Sequence, residues 1–221
     1  MTWYVVDGMD GCGKSSVAQL LEKKLESDGR SVLVYSHPTE RLVGRIERRT
    51  LQIEGKAAHI TSTVLYVMDV VSSLVRFGFK RRRYDDAIFV RYSLGVCYLP
   101  EKLVPKGYRI ISAVFPEPDV KILVDIDENT AMDRIRARGE PFESFEKEEE
   151  LAAIRRKLLS VSGDGWHIVD NSGTWADTER QISELLSRLR FPPISLSGTS
   201  VTDSDVDRIS ERTARSRYSG S

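Results

Sequence analysis

The stretch Gly8-Met9-Asp10-Gly11-Cys12-Gly13-Lys14-Ser15 constrains this chain more than any other. A glycine, four residues and then Gly-Lys-Ser is the pattern of a phosphate-binding loop. On pattern alone it could also be a glycine turn capping an ordinary helix. The flanks favour the loop. Trp3 to Val6 is a short β-prone apolar run, and Val17, Leu20, Leu21 and Leu25 recur at helical spacing. In a strand–turn–helix of this kind, glycines let main-chain N–H groups close around phosphate oxygens, and the following helix points its positive end at the same anion. The predicted cradle is Gly8, Met9, Asp10, Gly11, Cys12, Gly13, Lys14, Ser15 and Ser16. Lys14 would reach the β- and γ-phosphates of a bound nucleotide such as ATP, and the Ser15 hydroxyl would ligate Mg²⁺.

Composition bounds the rest. A chain of 221 residues suits one domain, or one domain with a tail. Lys plus Arg and Asp plus Glu both total 33, so the zero net charge gives no reason to expect nucleic acid or a membrane surface as partner. No apolar run approaches the length of a membrane span, and the N-terminus lacks a basic-then-apolar signal. Cys12 and Cys97 form no disulfide framework, and His37, His59 and His167 form no ligand cluster. These features predict a soluble, cytoplasmic protein.

Along the chain, Asp28-Gly29 stops the first helix and Ser31 to Tyr35 reads as a second strand. The loop Ser36-His37-Pro38-Thr39-Glu40 follows, then a basic amphipathic stretch from Leu42 to Leu51 and a longer helix from about Ala58 to Phe77. After Lys80-Arg81-Arg82-Arg83, Ala87 to Val90 reads as a strand ending at Arg91-Tyr92. Leu94 to Phe115 reads as helix interrupted by Pro100, Pro105 and Gly107. Val120 to Ile126 is the clearest buried strand, Asn129 to Arg138 a helix stopped by Gly139-Glu140-Pro141, and Ser144 to Ser160 a charged helix. A strand at Trp166 to Val169 and a helix at Trp175 to Leu189 complete the set. Strands alternating with helices predict an α/β fold: a three-layer P-loop NTPase architecture, with a parallel sheet of about five strands and helices on both faces. Ligands bind such sheets at the strand carboxyl ends, which gathers the Gly8 loop, His37-Pro38, Arg91-Tyr92 and Asp125 along one edge. The domain is read as residues 1–190. Residues 191–221 are rich in Ser and Thr, poor in large apolar residues, and read as a flexible tail.

With those motifs in hand, the chain resembles the thymidylate kinase family of P-loop nucleoside monophosphate kinases over roughly residues 3 to 189. Val6-Asp7-Gly8 through Ser15 is similar to the family's opening loop, and His37-Pro38-Thr39-Glu40-Arg41 with Gly44 to its second-strand loop. Arg91-Tyr92 resembles its Asp-Arg-Tyr motif, Leu123 to Asp127 its fourth strand, and Ala131 to Gly139 the helix leading into its lid. The resemblance implies Mg-ATP on the Gly8 loop and a nucleoside monophosphate, thymidylate or a related pyrimidine nucleotide, held by Asp10, His37, Pro38, Arg91 and Tyr92. Lys14, Asp10 and Arg138 would be the catalytic residues, Arg136 a further candidate for charge stabilisation, and Arg134 would meet the adenine side. Mobile arginines suit phosphoryl transfer, whose transition state spreads negative charge over equatorial oxygens. Arg134, Arg136 and Arg138 also read as solvated cations at a helix C-terminus. Family members are commonly dimers through helices beside the acceptor site, so the resemblance allows a homodimer.

The chain departs from the family's pattern at the acceptor. Val90 stands where the motif has aspartate, Ser36 where many members have arginine, Val70 where an arginine often reads the base, and Pro141-Phe142 where a second lid arginine often lies. Compensation could come from Arg76 or Lys80 to Arg83, which otherwise read as a solvated helix end. It could also come from Asp7, Asp10 or Asp125, the last of which reads equally as a helix cap. Cys12 sits where a helix N-terminus could lower a thiol pKa, though a small loop residue is the plainer reading. Tyr92, Trp3 and Trp166 read as packing residues. Against the kinase stands a rival reading, a nucleotide-binding regulatory protein of kinase-like fold without transferase activity. A GTPase or mechanical ATPase lacks support: no Asn-Lys-x-Asp motif occurs, and the Asp-x-x-Gly at Asp170 to Gly173 lies too late for a switch.

Overall fold

The computed structural model describes residues 1–39, 56–138, 148–163 and 165–190. Among these residues the main elements are, in order, β1 (Thr2–Asp7), α1 (Lys14–Ser27), β2 (Val32–Ser36), α2 (Lys56–Lys80), β3 (Asp86–Val90), α3 (Val104–Val114), β4 (Val120–Asp125), α4 (Glu128–Arg138), α5 (Glu148–Val161), β5 (Trp166–Asp170) and α6 (Trp175–Arg190). Contacts divide the chain into two compact units, Met1–Glu184 and Leu185–Ser221. Of the second, the described part is the end of α6.

All strand pairs are parallel, in the order β2-β3-β1-β4-β5. The central strands β1, β3 and β4 are buried almost throughout, as a sheet covered on both faces requires, whereas the edge strands β2 and β5 are partly exposed. The first crossover runs from β1 outward to β2, and every later one runs the opposite way. Right-handed crossovers therefore put α1 on one face and α2 to α5 on the other. Helix α1 buries Val17, Leu20, Leu21 and Leu25 and lies against β1, β2 and β3. On the opposite face Trp3 meets Phe77 of α2, Phe89 and Tyr92 with ring centroids 5.1–5.2 Å apart. Trp3 and Trp166 are both core residues, as their composition suggested.

The segment expected to be one interrupted helix divides differently. Pro100 separates two short 3₁₀ turns, Leu94–Tyr98 and Glu101–Leu103, and α3 begins directly after them. Pro105 does not break α3 but lies in its first turn, where a missing N–H has no partner to lose. Gly107 is inside the helix, facing Leu99 and Val96 so closely that a Cβ would lie 3.2 Å from the Leu99 side chain. The stretch 42–51, the stop at 139–141, the start of the charged helix at 144–147 and the tail from 191 lie outside the described residues. No described helix is long and apolar enough to cross a membrane.

Helix α4 carries three of the candidate arginines, Arg134, Arg136 and Arg138, and its start is fixed by Asp127. The Thr130 N–H donates to Asp127 Oδ1 at 2.9 Å, and the Thr130 hydroxyl donates to Oδ2 at 2.6 Å. The Thr130 hydroxyl and backbone bonds hold the Asp127 carboxyl below its ordinary pKa. A carboxylate with a depressed folded-state pKa contributes its stability above the ordinary range and loses it as pH falls through the folded value. Asp127→Ala should therefore cost about 1 kcal/mol near neutral pH. In urea titrations at stepped pH, the gap to wild type should close in acid.

Candidate active site

The carboxyl ends of β1, β2 and β3 open onto a cavity of about 420 Å³, bounded on its far side by α4. Asp10, Gly11, Gly13, Lys14, Ser15 and Ser16 form one wall, and Ser36, His37, Val90 and Arg91 form the floor. Arg134, Ile135 and Arg138 of α4 face them.

The loop's shape needs its glycines. Gly11 and Gly13 have φ of 76° and 93°, a left-handed conformation that side chains disfavour. A Cβ on Gly11 would lie 2.5 Å from the Ala131 carbonyl oxygen, and one on Gly13 2.5 Å from Asn171 Nδ2. Gly13 precedes α1, whose N-terminus has no side-chain cap, so its first N–H groups face the cavity wall. Met9 and Cys12 are buried and do not line the cavity. The helix N-terminus does not lower the Cys12 thiol pKa: burial pushes it up, and that outweighs the nearby Lys14 ammonium.

Asp10 is the electrostatic centre. It pairs with Arg91, accepts a hydrogen bond from the Tyr98 hydroxyl at 2.7 Å and lies 3.7 Å from Lys14 Nζ. Burial pushes its carboxyl up, but Arg91 and Lys14, with Tyr98 and Arg138, outweigh that and hold it below the ordinary range. Lys14 also donates to the Met9 carbonyl at 2.5 Å. Two cations aimed at the cavity thus share one internal anion. Tyr98 is a site residue that the sequence reading missed; its signal was a tyrosine closing a short turn after Arg91-Tyr92.

The other expected residues divide. His37 lines the cavity but is not a free base. Its Nδ1 lies 2.9 Å from the Arg91 carbonyl and 3.2 Å from that of Val90, and Nε2 is 2.8 Å from the Ser73 hydroxyl. Two carbonyls at Nδ1 require a proton there, so Nε2 accepts from Ser73. Tyr92, expected at the acceptor, is a core residue: its ring packs on Trp3, Phe89 and Phe115, and its hydroxyl donates to the Pro116 carbonyl at 2.8 Å. Pro38 does not line the cavity. Arg134 and Arg138 do, whereas Arg136 turns outward to Asp133 at 3.5 Å and is the solvated cation of the three. Arg91 holds a φ of 60°, unusual for a side chain this large.

The departures at Val90 and Ser36 are neighbours, paired in register on β3 and β2. Of the three carboxylates offered in its place, Asp10 lines the cavity, engaged with Arg91 and Lys14, whereas Asp7 and Asp125 do not line it. Asp7 is buried, its carboxyl raised by that burial, and accepts from the N–H groups of Gly8, Tyr92 and Leu94. Asp125 pairs with Arg155 of α5, which grips both its oxygens at 2.9 Å. Nor do Arg81 and Arg82 compensate. They line a separate hollow with Met1, Trp3 and Asp119, at the opposite ends of the strands. No three His, Cys, Asp or Glu side chains among the described residues converge to hold a metal.

Comparison with known proteins agrees with this geometry. The thymidylate kinase family model matches residues 6–182. A probable thymidylate kinase from Pyrobaculum aerophilum is 27% identical over 196 residues, covering 86% of this chain and 98% of the relative. Thymidylate kinase from Xanthomonas oryzae pv. oryzae is 28% identical over 186 residues, covering 82% and 81%. The solved structure of thymidylate kinase from Candida albicans superposes with a TM-score of 0.67 at 16% identity, covering 86% of this chain and 92% of the other, a likeness of fold.

The burial of both thiols has a direct consequence. Cys12 and Cys97 are fully buried, and burial pushes the Cys97 thiol up to about 12. Ellman's reagent at pH 8 should find no reactive thiol in the native protein and both after unfolding in urea.

Proposed function

The chain belongs to the thymidylate kinase family, and from that premise we propose that it transfers the terminal phosphoryl group of ATP to thymidylate, giving the diphosphate and ADP. The observation that carries the reading is the pairing of an open glycine cradle, with Lys14 on its rim, and Arg91 across one cavity. The main-chain amides of Gly11 to Ser15 would take the phosphates of ATP, and the acceptor phosphate would lie on Arg91. Lys14 and Arg91 now share Asp10. Bound phosphates would draw both cations off it, and Asp10 and Tyr98 would then face the acceptor's sugar. Arg138 would close over the transferred group as its negative charge spreads.

Mg²⁺ fits this site as a companion of the nucleotide. The Ser15 hydroxyl lines the cavity beside the cradle and has no hydrogen-bond partner among the described residues. Bound there, the ion would neutralise phosphate charge, with Ser15 as the protein's ligand. Positioning and charge do the work, so the fully engaged His37 need not act as a base.

We also infer that two copies pair through α2. Val64, Met68, Val71 and Val75 stand exposed along it at heptad-like spacing, a stripe that a partner helix would cover. The free, buried cysteines suit a reducing cytoplasm.

A coupled ADP-release assay across nucleoside monophosphates tests the reaction: thymidylate should stimulate turnover most, and no stimulation by any acceptor would overturn the reading. Lys14→Ala should lower kcat by about 10²–10³-fold. Met68→Glu combined with Val71→Glu should shift the protein to monomer in sedimentation velocity, and an unchanged sedimentation coefficient would refute that interface.

A further inference from the structure

Asn171 stands just beyond β5, in the Asp170-Asn171-Ser172-Gly173 loop. It is buried, and each of its four polar atoms has a hydrogen-bond partner. Its backbone N–H donates to the Asp125 carbonyl at 2.9 Å, and its carbonyl accepts from Arg134 Nη2 at 2.9 Å. In the side chain, Nδ2 donates to the Cys12 carbonyl at 2.8 Å, and Oδ1 accepts from the Thr178 hydroxyl at 2.7 Å. One residue thus ties β4, the arginine of α4, the phosphate loop and α6 together.

The Cys12 contact decides which way the amide faces. A carbonyl only accepts, so Nδ2 must face Cys12, and Oδ1 is left to accept from the hydroxyl of Thr178, which is itself fully buried. The loop presses on that nitrogen so closely that Gly13 has no room for a Cβ. The bonded carbonyl of Cys12 belongs to the peptide whose N–H is that of Gly13, so fixing it fixes where that N–H points.

We propose that Asn171 is a positioning residue for the ATP site: it sets the spacing between the phosphate loop and the helix carrying Arg134 and Arg138, and the Thr178 hydroxyl braces its side chain. The inference rests on the ATP reading given above. Asparagine suits the place chemically. Aspartate keeps the shape and the Thr178 bond but turns an acceptor toward the Cys12 carbonyl, and an apolar residue loses both contacts.

The test uses the full chain with Asn171→Asp and Thr178→Val, both close in volume to the native residue. A fluorescent, non-hydrolysable ATP analogue is titrated with magnesium, and KM is measured for ATP and for thymidylate. Asn171→Asp should weaken the analogue about tenfold and Thr178→Val about threefold. KM for ATP should rise in step, with KM for thymidylate within about twofold of wild type. Unchanged analogue affinity in both variants would overturn the proposal, as would equal rises in both KM values. Circular dichroism checks folding, and if Asn171→Asp does not fold, Thr178→Val decides alone. A wild-type chain that binds the analogue yet phosphorylates no monophosphate would end the kinase reading, while the analogue affinities still decide the role of Asn171.

Discussion

The structure depends on how closely one stretch of bare backbone is approached from three sides. A side chain at Gly8 would strike the Val124 carbonyl, at Gly11 the Ala131 carbonyl and at Gly13 the Asn171 amide. Strand, helix and loop thus close on the turn between β1 and α1 at distances only glycine permits. Donors of the turn that these contacts leave unused face the cavity. Rigidity of this kind is what an anion site needs, because a preorganised set of amides does not reorganise when charge arrives.

Electrostatic balance follows from the same turn. Asp10 is buried with Arg91 and Lys14, and isolated cations in that position would be costly. The carboxylate neutralises them until a phosphate does so. Around this group the remaining acids are already committed: Asp7 to three backbone N–H groups, Asp125 to Arg155. The part of the floor where Val90 and Ser36 sit side by side carries no charge, which leaves Arg91 beside it as the floor's ion. An acceptor bound there would meet fewer fixed ions than the family pattern provides.

Much of this was legible in the chain. The parallel sheet, its five strands and the loop's place at the end of β1 follow from glycine spacing and short apolar runs, which report local backbone needs directly. Arg91 and Arg138, expected from motifs, both line the cavity. What could not be read was orientation. Tyr92 and Arg91 are adjacent, yet one faces the core and the other the cavity. Arg136 and Arg138 share a helix, yet only Arg138 turns inward. Tyr98, Arg155 and Asn171 escaped because their partners, Asp10, Asp125 and Cys12, lie far away in sequence. Pro105 misled because a proline marks either a helix's interruption or its first turn, and only the preceding turn decides.

The sheet order has an effect on biogenesis. The first strand made, β1, lies between β3 and β4 and pairs with neither until residues 86–90 or 120–123 have been synthesised. A ribosome-bound chain therefore carries an unpaired apolar strand, Trp3 to Val6, through much of translation. Late closure around an early strand adds loop-closure entropy to the folding barrier and slows folding.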